Sequence, residues 1–251
     1  MSVVVVAGYG EIGKAIYQLC RGGFDEVLVE DPCSSRAAST TYNRPAGPAA
    51  LHIAIPGTLE NFQEEVQRYY DKYNPEIVLI HSTTVPGTTE ELELKLGTGR
   101  VVHAQVHGKH CHGRMRTDML YYPKFVGTVS DSAFALAQDV LQRMGHPEER
   151  IIRLPSSRAS EVVKLLSTSF YGYMIVWMQE MKRLSAACNI PVAELMTFTC
   201  LQTDDFSIRD KFAGEIGGHC VMPNIEILRK TYPLSVWNFI HQSNEEMKHD
   251  G

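Results

Sequence analysis

The sequence predicts an α/β protein: a doubly wound parallel sheet followed by a helical domain with one long central helix. Three features carry this. Short apolar runs alternate with segments of helical period over the first 155 residues, the pattern of a parallel sheet with crossover helices. The first run, Val3 to Ala7, leads straight into Gly8-Tyr9-Gly10-Glu11-Ile12-Gly13, a turn that opens a helix. From Ser156 to Asn189 the apolar positions recur every three or four residues without a break. At 1.5 Å per residue that is one helix of roughly 50 Å.

Val3 to Ala7 reads as a central strand, because parallel strands covered on both faces are apolar throughout. Lys14 to Cys20 supplies the helix after the glycine turn, Gly22-Gly23 stops it, and Val27-Leu28-Val29 is the second strand, ending in Glu30 and Asp31. Residues 32 to 50 are rich in Ser, Ala, Pro and Gly and read as a connection. Leu51 to Ile55 is the next strand and Leu59 to Tyr73 a helix, with Phe62, Val66, Tyr69 and Tyr73 at helical spacing. Strands follow at Ile77 to Ile80, Val101 to Val106, Lys124 to Thr128 and Ile151 to Leu154, with helices at Thr89 to Leu96 and Ser132 to Met144. The loop from His107 to Arg114 has no hydrophobic period. Further helices are expected near Val192 to Leu201, Asn224 to Thr231 and Val236 to Lys248. The boundaries that result are 1–155 for a dinucleotide-binding domain and 156–251 for a helical dimerisation and substrate domain.

A chain of 251 residues with 44% hydrophobic and 21% charged residues has ordinary globular composition. A net charge of −5 and the lack of a basic run argue against nucleic acid as a partner. No apolar stretch approaches the ~20 residues of a membrane span. Six cysteines without a CxxC pair, in a chain with no secretory leader, point to reduced thiols in a cytoplasm.

Gly8, Gly10 and Gly13 match the Rossmann-type fingerprint, in which the glycines provide a tight turn, close approach of a pyrophosphate, and close helix–strand packing. Free N–H groups at the helix start, with Glu11 and Ile12 among the turn residues, then hold the phosphates. Glu30 stands 22 residues after the first glycine, where an acid takes the adenosine ribose hydroxyls and repels a 2′-phosphate. Asp31 is beside it. The cofactor expected is NAD, with Arg36 leaving NADP open.

Cys220 follows a glycine pair and is a candidate nucleophile, although a lone cysteine more often packs as a small apolar residue. Lys164 and Thr168 stand four apart on the long helix and share a face. A solvated lysine is the plainer reading. His103, His107, His110, Cys111 and His112 lack the spacing of a metal site, so no metal is expected.

Four segments in order resemble the UDP-glucose/GDP-mannose dehydrogenase family: GYGEIG, then IAIPG with HSTTVPGTT, then the helix from SEVVKLL through MQEMKRL, and AGEIGGHCVMPN. The resemblance implies an NAD enzyme that oxidises a sugar-nucleotide alcohol twice to an acid. Cys220 then matches the thiol that traps the aldehyde and carries a thioester, and Lys164 the lysine that steadies alkoxide and water. Thr83 matches the threonine at the active-site strand end. Pro56 and Ser82 fall in the matched segments as cofactor-binding residues, the nicotinamide lying near Ser82 and Thr83.

The chain departs from that pattern at several points. Thr168 stands where the family places an asparagine, and Asn224 where it places an acid. The His107 to Arg114 stretch replaces a glutamate-containing loop, and the Pro32 to Ala50 segment is shorter than usual. The C-terminal domain that holds the nucleotide is absent from the stretch matched, so the resemblance is to a short form. The resulting expectation is an NAD-dependent oxidoreductase acting on a small molecule, of sugar-nucleotide type, as a homodimer held by the long helix through Trp177 and Met181. Two alternatives keep the fold: an S-adenosylmethionine-dependent transferase, and a non-catalytic NAD-binding subunit.

Overall fold

The computed structural model describes residues 2–33, 47–108, 113–195, 214–217 and 220–249. The chain divides into two compact units, Met1–Val163 and Lys164–Gly251.

The first unit is built on a seven-stranded sheet: β1 (Val3–Ala7), β2 (Glu26–Glu30), β3 (Ala50–Ile53), β4 (Val78–Ile80), β5 (Val101–His103), β6 (Lys124–Gly127) and β7 (Ile151–Leu154), in spatial order β2-β1-β3-β4-β5-β6-β7. Successive residues of a strand point to opposite faces. Val4 and Val6 therefore enter one apolar layer, with Ile16, Leu19, Val102, Met115 and Leu141. Val3 and Val5 enter the other, with Leu51, Ile53, Phe62, Val66 and Leu92. That double burial explains the unbroken valine run. The helices covering these faces are α1 (Glu11–Cys20), α2 (Phe62–Tyr73), α3 (Thr88–Leu96), α4 (Met115–Tyr121) and α5 (Asp131–Arg143). At the start of α5 the Ser130 hydroxyl accepts from the Ala133 N–H, and α2 ends on Asn74 in the left-handed conformation.

The sheet differs from a wholly parallel one at β5 and β6, which run antiparallel and meet at a single residue pair, His103 and Gly127. β7 returns parallel to β6. Helix α4 was not expected from the sequence. It is only seven residues long, too short for a clear period, yet Met115 and Met119 bury into the first apolar layer.

The long helix is α6 (Ser157–Cys188), whose first turns belong to the first unit. In the second unit α7 (Val221–Thr231) and α8 (Ser235–His249) share a core with it through Leu165, Val176, Ile216, Val221, Ile225, Leu228, Trp237 and Ile240. A β-carbon on Gly172 would lie 2.7 Å from Val221 Cγ1, so the start of α7 packs tightly on α6. Of the helix expected at Val192 to Leu201, residues 192–195 are helical and the remainder lies outside the described residues, as do Arg36, His110, Cys111 and His112.

Candidate functional site

The three glycines of the first turn have different surroundings. Gly8 adopts φ +94°, and a β-carbon there would lie 2.6 Å from the Ala54 carbonyl oxygen. A β-carbon on Gly13 would lie 1.8 Å from the Gly8 carbonyl oxygen. Both positions need glycine for packing. At Gly10, which opens α1, no atom of the described residues lies within 4 Å of a β-carbon position and the residue is exposed. Among the described residues nothing demands glycine here, which fits close approach by a ligand. Glu11 is exposed and Ile12 half-buried just behind it, and Gly10, as the N-cap, offers the helix no side-chain cap.

The two acids at the end of β2 point different ways. Asp31 Oδ2 accepts the Tyr9 N–H at 2.7 Å, so its carboxylate faces the glycine turn. Glu30 turns to α2, where Lys72 Nζ and the Tyr73 hydroxyl donate to Oε1. Burial raises the Glu30 pKa, but those two hydrogen bonds outweigh it and hold the carboxyl below its ordinary range. Of the two acids, it is Asp31 whose carboxylate lies against the glycine turn, where its other oxygen accepts the Cys33 N–H at 2.9 Å. One residue of offset on a strand reverses the direction of a side chain, and a count of 22 from Gly8 cannot register it.

At the ends of β3 and β4, Pro56 is exposed and Thr83 half-buried. Ser82 is buried, and its hydroxyl donates to the Ile55 carbonyl at 2.6 Å, a bond that ties the two strand ends together. Beside them is Glu161, a residue that sequence reading passed over because a helical glutamate ordinarily faces water. It is 1% exposed. Its carboxylate accepts from the Thr84 hydroxyl at 3.1 Å, the Gly87 N–H at 2.6 Å, and the Thr89 N–H and hydroxyl at 2.9 and 2.7 Å. Four donors compensate its burial and fix the loop that carries Thr83.

In the second unit Cys220 is half-buried at the N-terminal cap of α7, with no side-chain cap of its own. Lys164 is near enough for charge on the Cys220 sulfur to favour its ammonium. Burial nevertheless pushes the Lys164 pKa below its usual value, and the Cys220 charge only partly restores it. A helix N-terminus and a neighbouring ammonium both favour a thiolate over a thiol. Thr168 donates its hydroxyl to the Lys164 carbonyl at 3.0 Å, so it closes on its own helix. Asn224, one turn into α7, is 5% exposed.

A chain of polar groups also runs through the first unit's core. Cys20 Sγ lies 3.7 Å from His52 Nε2, His52 Nδ1 lies 2.9 Å from His81 Nε2, and His81 Nδ1 lies 2.7 Å from the Ala104 carbonyl. Lys124 Nζ donates to the Ala104 and Gln105 carbonyls, both at 2.8 Å. A single set of neutral tautomers satisfies the chain: Cys20 S–H to His52, His52 Nδ1–H to His81, and His81 Nδ1–H to Ala104. Burial lowers the His52 and His146 pKa values to about 3, with the Lys124 charge adding to the effect, and holds His81 well below its usual value. The Cys20 thiol is pushed up to about 12 by burial and is inert. No group of three or more metal-ligating side chains occurs among the described residues.

No family profile matches the sequence, and no characterised protein matches it by sequence. Solved structures share its fold. The UDP-D-ManNAc dehydrogenase of Pyrococcus horikoshii superposes with a TM-score of 0.81 at 20% identity, covering 99% of this chain and 69% of that one. The UDP-glucose dehydrogenase of Pyrobaculum islandicum gives 0.73 at 17% identity, with coverage of 99% and 69%. The 3-hydroxyisobutyrate dehydrogenase of Mycobacterium tuberculosis, solved with L-serine, gives 0.76 at 14% identity, with coverage of 100% and 94%. The fold is thus one shared by dehydrogenases. More narrowly, the chain is similar in fold to UDP-sugar dehydrogenases over about 69% of their length.

Proposed function

We propose that the protein is an NAD-dependent dehydrogenase of the nucleotide-sugar type, oxidising an alcohol group of a small-molecule substrate. The open position at Gly10, between two glycines that packing demands, supports this reading most directly. The backbone from Gly8 through Gly13 holds the pyrophosphate, and the Asp31 carboxylate accepts from the adenosine ribose hydroxyls. Its negative charge opposes a 2′-phosphate and so favours NAD over NADP. NAD, when bound, supplies the hydride acceptor. Pro56 and Thr83 belong to the nicotinamide side. Ser82 supports them from beneath.

The residues of the second unit act on the substrate. Lys164 stabilises the alkoxide that forms as the alcohol loses its proton. The Cys220 thiolate would add to the aldehyde carbon formed once the first hydride has left to NAD, and loss of the second hydride, to a second NAD taken up after the first NADH departs, would leave a thioester on sulfur. Water then releases the acid and frees the thiolate, a step that calls for a general base. Asn224 cannot serve as one, so hydrolysis is the slow step. The helical unit also mediates a homodimer along α6.

Calorimetric titration with NAD tests the cofactor assignment. Gly10 has φ −69° and no neighbour at its β-carbon position, so Gly10→Val should fold with an unchanged melting temperature and lose NAD binding. Equal NAD affinity in wild type and Gly10→Val would overturn the reading. Mass spectrometry of small molecules released from the purified protein identifies the cofactor and substrate class.

A further inference from the structure

The loop from β4 to α3 carries Ser82 and Thr83, and one turn of α6 fastens it on both sides of Thr83. On the near side the Ser82 carbonyl lies 3.2 Å from His103 Nε2, and His103 Nδ1 lies 2.8 Å from the Ser160 hydroxyl oxygen. With its proton on Nε2, His103 donates to Ser82 and accepts from Ser160. His103 and Ser160 are both fully buried. On the far side the Thr84 hydroxyl donates to Glu161, the next residue along the helix. Between the two, Thr83 rests against Gly57, where a β-carbon would lie 2.1 Å from the Thr83 carbonyl oxygen. All of these residues belong to the first unit.

Glu161 also ends the loop. Gly87, the N-cap of α3, has no side chain with which to cap the helix, and Glu161 reaches over from α6 to do so. Its Oε1 accepts the Thr89 N–H, the group that a capping Ser or Asp would ordinarily meet. Its Oε2 accepts the Gly87 N–H, the group that the glutamate of a capping box would take. The negative charge suits the positive end of the helix dipole. A carboxylate has acceptors only, so it matches the donors of Thr84, Gly87 and Thr89 together. An amide in its place would turn an N–H toward one of them.

We propose that Glu161 is a positioning residue for the nicotinamide half of the cofactor: by capping α3 and holding Thr84, it fixes where Thr83 meets the ring. The proposal rests on the reading that places Thr83 on the nicotinamide side of an NAD site. Glu161 is 1% exposed and acts only through the loop. A looser loop leaves the glycine turn and Asp31 as they are, so the adenosine and pyrophosphate keep their contacts while the nicotinamide loses its own.

The test is calorimetric titration of the full chain with two probes, NAD and ADP-ribose, the latter being NAD without its nicotinamide. Glu161→Gln keeps the size of the side chain and breaks the match with its donors. Thr84→Val keeps the shape of Thr84 and removes its hydroxyl. A control, Val140→Ala, trims a residue of α5 that is 3% exposed in the first apolar layer. A melting curve accompanies each variant. Glu161→Gln should bind NAD roughly tenfold more weakly than wild type and ADP-ribose within about twofold of it. Thr84→Val should show a smaller loss, about threefold, again confined to NAD. The control should lower the melting temperature and leave both affinities in place.

If wild type binds NAD and Glu161→Gln weakens both probes equally, or neither, the positioning role is overturned and the cofactor reading stands. A wild type that binds neither probe would overturn the reading and the role together. Should Glu161→Gln fail to fold, Thr84→Val carries the same comparison, and an equal loss of both probes there, or no loss, removes the role.

Discussion

At the scale of single residues, the two acids at the end of β2 separate cleanly. Asp31 faces the glycine turn, while Glu30 is engaged by Lys72 and Tyr73. A hydrogen bond to a charged group is worth about 1.5–3 kcal/mol, so Asp31→Ala should weaken NAD binding by roughly 10- to 150-fold. Glu30→Gln should leave NAD affinity within about twofold, because a Tyr73 donor still finds an amide oxygen. Titration of the two variants decides between them; a larger loss in Glu30→Gln would reverse the assignment. A second residue-scale prediction concerns Asn224. General-base assistance is worth ~10²–10⁴ in rate, so Asn224→Asp should speed thioester hydrolysis within that range. Wild type should accumulate a covalent adduct on Cys220 visible by intact mass, and Asn224→Asp should not. The glycine positions were legible in the sequence because their spacing reports a local turn. The orientation of Asp31 and the burial of Glu161 were not, since both depend on contacts with residues far along the chain.

Helix α6 shows what a periodic pattern reveals and what it leaves open. Its length was legible because apolar residues recur over its whole course, and the observed Ser157–Cys188 differs by one residue at each end. Which face meets the core was not legible, because the stripe is too wide to choose. Met181, expected at a subunit contact, is 8% exposed and belongs to the interior of its own unit. Trp177, by contrast, is 47% exposed, and Leu166, Phe170, Tyr173 and Leu184 are exposed with it. These five are spaced by three, four or seven residues, a single stripe along the helix. Trp177→Glu should therefore weaken the proposed dimer without unfolding the chain. Light scattering at micromolar concentration reads this directly: wild type should run as a dimer and the variant as a monomer, and a monomeric wild type would remove the interface. The short α4 and the reversed direction of β6 were illegible for another reason. A seven-residue helix has too few turns to show a period, and strand direction is set by pairing rather than by local sequence.

Over the whole first unit, the buried histidines set how the protein responds to acid. His52 and His146 have pKa values of about 3 when folded, and His81 is also well below its usual value, whereas an unfolded histidine titrates near 6.5. Below about pH 6.5 the unfolded chain binds protons that the folded one refuses. Stability is thus fully present above that pH and lost as pH falls, at ~1.4 kcal/mol per unit for each histidine, or ~4 for the three. Against a typical stability of ~5–15 kcal/mol, the protein should unfold well before pH 3. Cys20 acts at the other end: its folded pKa of about 12 exceeds the free value, so its contribution is present below about pH 9 and lost as pH rises. Urea titrations from pH 8 down to pH 4 should show the unfolding midpoint falling steadily. A flat profile would mean the histidines are not held neutral.

The single residue pair joining β5 to β6 also bears on how the molecule folds. Residues 124–154 form a strand–helix–strand unit whose two strands pair in parallel over four positions, all of it local in sequence. Across the seam, Lys124 donates to the Ala104 and Gln105 carbonyls where few ladder bonds exist. Such a unit gains little from the rest of the sheet until it docks, so docking should come after the rate-limiting barrier. Kinetically, Lys124→Met should then accelerate unfolding and leave the refolding rate nearly unchanged, giving a φ-value near zero in stopped-flow chevrons. A value near one would instead place closure of the seam at the folding nucleus.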